Sequence, residues 1–233
     1  MDTIERSALA RELLLARAAA ACIPLASARF PGFTLADAYQ VAGETVAIRL
    51  LSGEAVRGFK IGFTNRSIWP RYGVHAPIWA PVWDSTVQEL DGHEAALSLA
   101  GFSQPRLEPE VVFGFGRSPQ PGMSTAERLA CVDWVAPGFE IVHTHCADWR
   151  FTAPDTVADF GLHGALLIGP SRPLDEWAAP AERGSAVWAA RLIERLSNLS
   201  LRLLRNGNEV DQGRGSAVLD GPVQALMHWL DAM

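Results

Sequence analysis

Lysine is almost absent from this chain. Of 20 cationic side chains, Lys60 is the one that is not arginine. The arginines are scattered, the net charge is −6 and the pI is near 5.5. No basic stripe is available for a polyanion, which excludes nucleic acid as a partner. Cysteine is scarce as well: Cys22, Cys131 and Cys146 are odd in number and lack CxxC spacing. That excludes a disulfide framework and a zinc site, and suits a reducing compartment. No run approaches the roughly 20 apolar residues that span a bilayer. The N-terminus "MDTIERSALARELLLARAAAACIPL" carries Glu5, Arg6, Arg11, Glu12 and Arg17 at helical spacing, so it is an amphipathic helix rather than a signal peptide. A cytoplasmic protein without membrane contact is expected. A GxSxG nucleophile elbow is missing, and "GFGRSPQPG" lacks the strand–GxGxxG–helix setting of a dinucleotide site.

What remains is apolar and rich in short segments. At 233 residues and 48% hydrophobic, the chain can bury a sizeable core. Helices are expected over about 3–21, after an N-cap at Thr34 with a stop at Gly53, over 123–135 after Ser124, in "SAVWAARLIERLSN", and in "GPVQALMHWLDAM" with Pro222 in the first turn. Strands are expected in "RGFKIGFTN" and around 86–90, 95–100, 108–115, 138–143, 163–169 and 199–205. Asn206-Gly207 predicts a hairpin turn. "RSIWPRYGVHAPIWAPVWD" predicts a packed loop, whose Trp69, Trp79 and Trp83 would form either a lid or core. Helices at the start followed by many strands predict the α+β class. An N-terminal helical and mixed lobe (1–85) would precede a strand-rich domain (86–233).

The stretch "RLEPEVVFGFG" carries the sharpest chemical signal. On a strand, Glu108 and Glu110 project from one face, and the strand then turns apolar on both. Paired carboxylates entering a core repel unless a proton or a cation sits between them. Glu140, in "PGFEIVHTH", is a third acid in an apolar stretch. Three such carboxylates describe a hard-cation site for Mg2+ or Mn2+. Lys60, alone between Phe59 and Ile61, is the candidate proton carrier, because an ammonium loses its proton more readily than a guanidinium. His163 is a candidate catalytic group. His143 and His145 would share a strand face as weaker candidates.

Together, "FKIGFTN", "RLEPEVVFGFG", "PGFEIVHTHCADWRF", "DTVADFGLHGALLIG" and "NGNEVDQGRGSAVLDGPVQALMHWL" resemble the hydratase/decarboxylase family of the fumarylacetoacetate hydrolase superfamily. The resemblance runs through effectively the whole chain. It implies a mixed β-roll with N-terminal and flanking helices, Glu108, Glu110 and Glu140 as metal ligands, and Lys60 in acid–base chemistry. It also implies a small 2-oxo acid substrate and a homo-oligomer. Hydration of a 2-oxo-4-enoate in aromatic catabolism is the leading expectation. Decarboxylation of a 4-oxalocrotonate-like dioate, acylpyruvate hydrolysis, and a non-catalytic partner subunit are the alternatives. The chain departs from the family in two places: Ile78 follows Pro77 where hydratases carry an acid, and relatives continue beyond the position of Met233.

Overall fold

The computed structural model describes residues 1–232. Its helices are α1 (Thr3–Ala19), α2 (Ala26–Arg29), α3 (Leu35–Leu51), α4 (Trp69–Tyr72), α5 (Thr125–Leu129), α6 (Ala153–Ala158), α7 (Ala186–Ser197) and α8 (Pro222–Ala232). Its strands are β1 (Val56–Gly62), β2 (Ile78–Trp83), β3 (Val87–Glu89), β4 (Arg106–Phe115), β5 (Val132–Val142), β6 (His163–Ile168), β7 (Arg172–Pro173), β8 (Ser200–Arg205) and β9 (Asn208–Arg214). By packing, the chain divides into two compact, discontinuous units. The first holds Met1–Gly62, Trp69–Glu110 and Gly138–Gly169; the second holds Phe63–Ile68, Val111–Pro137 and the segment from Pro170 onward. The sequence reading divides the chain once, near residue 85.

In the first unit, local sequence fixes both long helices. Asp2 and Glu5 cap α1 reciprocally, and Thr34 and Asp37 do the same for α3. Leu9, Ala10, Leu13 and Ala16 form the buried stripe of α1. Burying Leu9 and Leu13 contributes about 2 kcal/mol each. The stripe of α3 is Ala38, Val41, Thr45 and, unexpectedly, Arg49. β1 and β2 pair antiparallel, with Lys60 opposite Ala80 and Gly62 opposite Ile78. This corrects the expectation of an irregular loop throughout 66–84. Ile78, Ala80 and Val82 alternate inward, and Pro81 is tolerated because both strands of a two-stranded sheet are edges. In the larger sheet, β6 pairs parallel with β3 and antiparallel with β5, and β4 follows β5 in the order β3-β6-β5-β4.

Two further expectations fail for physical reasons. Residues 95–100 form no strand: Leu97 and Leu99 stay 37% and 53% exposed and join no ladder. The helix expected over 123–135 ends at Leu129, because the β-branched Val132 and Val135 bury better on β5. In the second unit, Leu129, Val132, Val135, Leu174, Trp188, Leu192, Leu196, Val223 and Leu226 belong to one buried cluster. β8 and β9 form the expected hairpin, with Asn206 and Gly207 at φ 52° and 80°, both positive as a two-residue turn of this kind requires. The α+β class of the sequence reading describes both units. Among the described residues, no helix is long and apolar enough to cross a membrane.

Candidate metal centre

Glu108, Glu110 and Glu140 converge within the first unit. Each offers one carboxylate oxygen, and the three atoms lie within 4.8 Å of one another. Alternation along β4 puts Glu108 and Glu110 on one face, and Glu140 comes from the neighbouring β5. Glu140 is 2% exposed. Lys60 Nζ lies 2.9 Å from Glu140 Oε2 and donates to the Gly161 carbonyl at 3.1 Å. The Gly161 anchor is built into the backbone. Phe160, Gly161 and Leu162 take φ of 57°, 60° and 64°, and a Cβ on Gly161 would stand 2.6 Å from the Ala80 Cβ. Only glycine closes this turn against β2.

His163 opens β6 and is 1% exposed. Its Nδ1 lies 2.7 Å from Glu140 Oε1, and its Nε2 lies 2.8 Å from Thr86 Oγ1. An ionised carboxylate only accepts, so Nδ1–H donates to Glu140 and leaves Nε2 to the Thr86 hydroxyl. Both oxygens of Glu140 are thereby held in place by Lys60 and His163. Ile78 is 4% exposed, pairs with Gly62 across β1 and β2, and its Cγ1 would stand 3.0 Å from a Cβ on that glycine.

Electrostatics expose the imbalance. Three carboxylates share one ammonium. Burial, then Glu140, pushes Glu110 up to about 8, and burial, despite Lys60, raises Glu108. Burial would raise Glu140 too, but Lys60 and the His163 hydrogen bond outweigh it and hold that carboxyl below the usual range. Burial would lower Lys60, and Glu140 followed by Glu108 overrides it, so the ammonium is held. With all three ionised, two negative charges are left over, and either protons on Glu108 and Glu110 or a divalent cation on oxygen ligands balances them. The donor set fits such an ion.

The remaining candidates lie elsewhere. His143 and His145 follow the end of β5 rather than lying on it, and neither joins the carboxylate cluster. His145 Nδ1 pairs with Asp159 Oδ1 at 2.5 Å, and His143 Nε2 lies 2.9 Å from Arg17 Nη1. Of the tryptophans expected as lid or core, Trp83 is packed inside, 1% exposed under the Arg49 guanidinium, whereas Trp79 is half-buried with its ring 4.8 Å from that of Tyr39. Trp69 opens α4 half-buried. Sequence reasoning missed Thr86 and the Gly161 carbonyl, since neither a lone threonine nor a backbone oxygen leaves a pattern. It also missed Arg106, which shares the face of Glu108 and Glu110. Its guanidinium lies 3.9 Å over Trp149, beside a Tyr72–Phe151 stack with centroids 5.3 Å apart.

These features describe a carboxylate cluster with a donor set that could hold a metal ion, in a protein of mixed helix and sheet, and known proteins share its frame. No family model matches the chain. A 2-hydroxyhexa-2,4-dienoate hydratase of Comamonas testosteroni is 35% identical over 86% of this chain and 69% of its own length. A 2-hydroxypent-2,4-dienoate hydratase of Pseudomonas putida is 31% identical over 89% of this chain and 85% of its own. The solved 4-oxalocrotonate decarboxylase of Pseudomonas putida G7, complexed with magnesium and adipate, superposes with a TM-score of 0.84 at 24% identity, covering 100% of this chain and 82% of that one. The chain belongs to the hydratase/decarboxylase family, as the sequence resemblance implies. It is an enzyme of the hydro-lyase type, in a family that also contains decarboxylases.

Proposed function

We propose that this protein is a metal-dependent hydratase that adds water to a 2-oxo-4-enoate formed in the breakdown of aromatic compounds, on the superfamily's mixed β-roll. The observation that carries this reading is the convergence of Glu108, Glu110 and Glu140 around the single lysine of the chain. The three carboxylates would hold Mg2+ or Mn2+. When bound, a divalent ion supplies a Lewis acid that polarises the keto oxygen of a 2-oxo acid.

The protein's own groups supply the rest. Lys60 holds a proton at Nζ in a largely buried position, and its bonds to Gly161 O and Glu140 Oε2 fix where that proton is delivered. Such a carrier serves the two proton movements of hydration: ketonisation of the dienol, and protonation of the carbon next to the one that takes hydroxide. His163 acts through Glu140, fixing the carboxylate so that it meets an ion in one orientation. The homo-oligomer and the cytoplasmic setting expected from the sequence remain part of this reading; light scattering after gel filtration tests the first.

Arg106 favours a second reading. A guanidinium on the face of Glu108 and Glu110, braced on Trp149, would suit a substrate with a second carboxylate, as in decarboxylation of a 4-oxalocrotonate-like dioate. Turnover of a panel of 2-hydroxydienoates, oxo-dioates and acylpyruvates with Mg2+ separates the readings. Hydration consumes the dienol absorbance and adds 18 mass units (about one water) without gas release. Release of CO2 or of two smaller acids favours the alternatives. A protein that turns over nothing on the panel, yet binds Mg2+, is the non-catalytic subunit.

A further inference from the structure

The first unit contains a second charged cavity that the metal centre does not use. It has a volume of about 520 Å3, with Leu14, Leu97, Phe102 and Leu167 among its apolar lining and Arg17 and Arg49 among its polar lining. None of Lys60, Glu108, Glu110 or Glu140 lines it.

Its donors are not all met. Arg49, on the buried stripe of α3, is 6% exposed. Its Nε and Nη2 donate to Glu54 at 2.8 and 2.5 Å, while Nη1 has no hydrogen-bond partner. Arg17 donates to the carbonyls of His163 and Gly164 at 2.6 and 3.1 Å and lies 2.9 Å from His143 Nε2, all of them uncharged groups. Burial, followed by the neighbouring Arg49, brings Arg17 down to about 10. His143 is held at about 3 by burial and then by Arg17, so it adds no charge near neutrality. Asp159 acts on Arg17 through space, its oxygens bonded to Thr144 and His145, and Glu54 pairs directly with Arg49. Arg49 Nη1 is thus left as a buried donor without an acceptor at the edge of an apolar chamber.

We propose that this cavity binds a small aliphatic monocarboxylate, with the carboxylate between Arg17 and Arg49 and the chain against Leu14, Leu97, Phe102 and Leu167. A carboxylate supplies the acceptor that Arg49 Nη1 lacks, and guanidinium groups offer donors in the planar fork that carboxylates accept. Inorganic phosphate would leave the apolar wall unmatched. The cavity borders the metal centre at Thr86 but contains none of its carboxylates, and it would hold its ligand without metal.

Calorimetric titration of hexanoate, and separately of inorganic phosphate, into metal-free full-length protein tests this. Hexanoate is expected to saturate one site with a Kd of about 1 mM. That binding should persist in Glu108→Ala and weaken at least about tenfold in Arg49→Met and in Ala18→Trp, which fills the cavity from an exposed position on α1. Absence of saturation in the native protein overturns the proposal. So does loss of binding in Glu108→Ala, which would place the ligand at the metal centre. Tighter binding of phosphate than of hexanoate overturns the ligand class. Should Arg49→Met fail to fold by circular dichroism, Ala18→Trp decides: weakened binding supports the site, and unchanged binding refutes it.

Discussion

Two polar clusters of the first unit invite comparison, one wholly buried and one that runs from buried Glu140 out to exposed Glu108. Around Asp159, every carboxylate oxygen has a donor from the chain: Oδ1 meets His145 Nδ1, and Oδ2 accepts from the Thr144 hydroxyl and the His145 amide. Around Glu140, three carboxylates crowd within 4.8 Å and share one ammonium. Asp159 and Glu140 are both buried, where an unmet charge costs several kcal/mol. The first is complete as it stands, and its bonds tie the end of β5 to the turn before β6. The second is balanced only by added positive charge, as protons on its carboxylates or as a cation. Saturated polar networks hold a fold together, and undercompensated ones mark where a ligand is received.

The difference can be broken most severely at the metal centre. Glu108→Ala should abolish Mg2+-dependent turnover, a loss above about 100-fold that exceeds what outer partners of metal sites show. It should leave the melting temperature of the metal-free protein unchanged or raised, because a repelling carboxylate is gone; scanning calorimetry and a turnover assay read both. Asp159→Asn should do the reverse, costing about 3 kcal/mol of stability by urea unfolding while the folded protein keeps its kcat.

A third expectation concerns acid. His143 is held at about 3 in the fold and titrates near 6.5 when unfolded. Below the unfolded value, the unfolded chain gains a proton that the fold refuses. Stability is thus fully present above about pH 6.5 and falls by about 2 kcal/mol on going to about pH 5. In His143→Gln that slope should flatten, as seen in urea midpoints against pH. The smallest effect is expected at His163, which acts on the metal centre through Glu140. His163→Gln should weaken Mg2+ binding about tenfold by calorimetry. A catalytic role for the imidazole would instead remove a limb of the kcat pH profile and leave metal affinity intact.

The carboxylate triad was legible because period-two spacing fixes the face of Glu108 and Glu110, and because an acid between Phe139 and Ile141 demands a partner. Lys60 was legible by its rarity. Thr86 and Gly161 were not, since they reach the site through a hydroxyl and a carbonyl contributed by turns distant in sequence. β2 was hidden by its tryptophans and proline, which mimic a loop in a one-dimensional reading although Ile78, Ala80 and Val82 alternate inward. Arg49 did leave a trace: it falls on the stripe of Ala38, Val41 and Thr45, and a cation on an apolar stripe signals a buried partner.

One further lesson lies in the carbonyl that steadies Lys60. Because the tether is main chain, no exchange of a neighbouring side chain can delete it; mutation can only bend it, by forcing a bulkier group between residue 161 and Ala80. The position of the Lys60 ammonium is thus insulated from drift in the side chains around it.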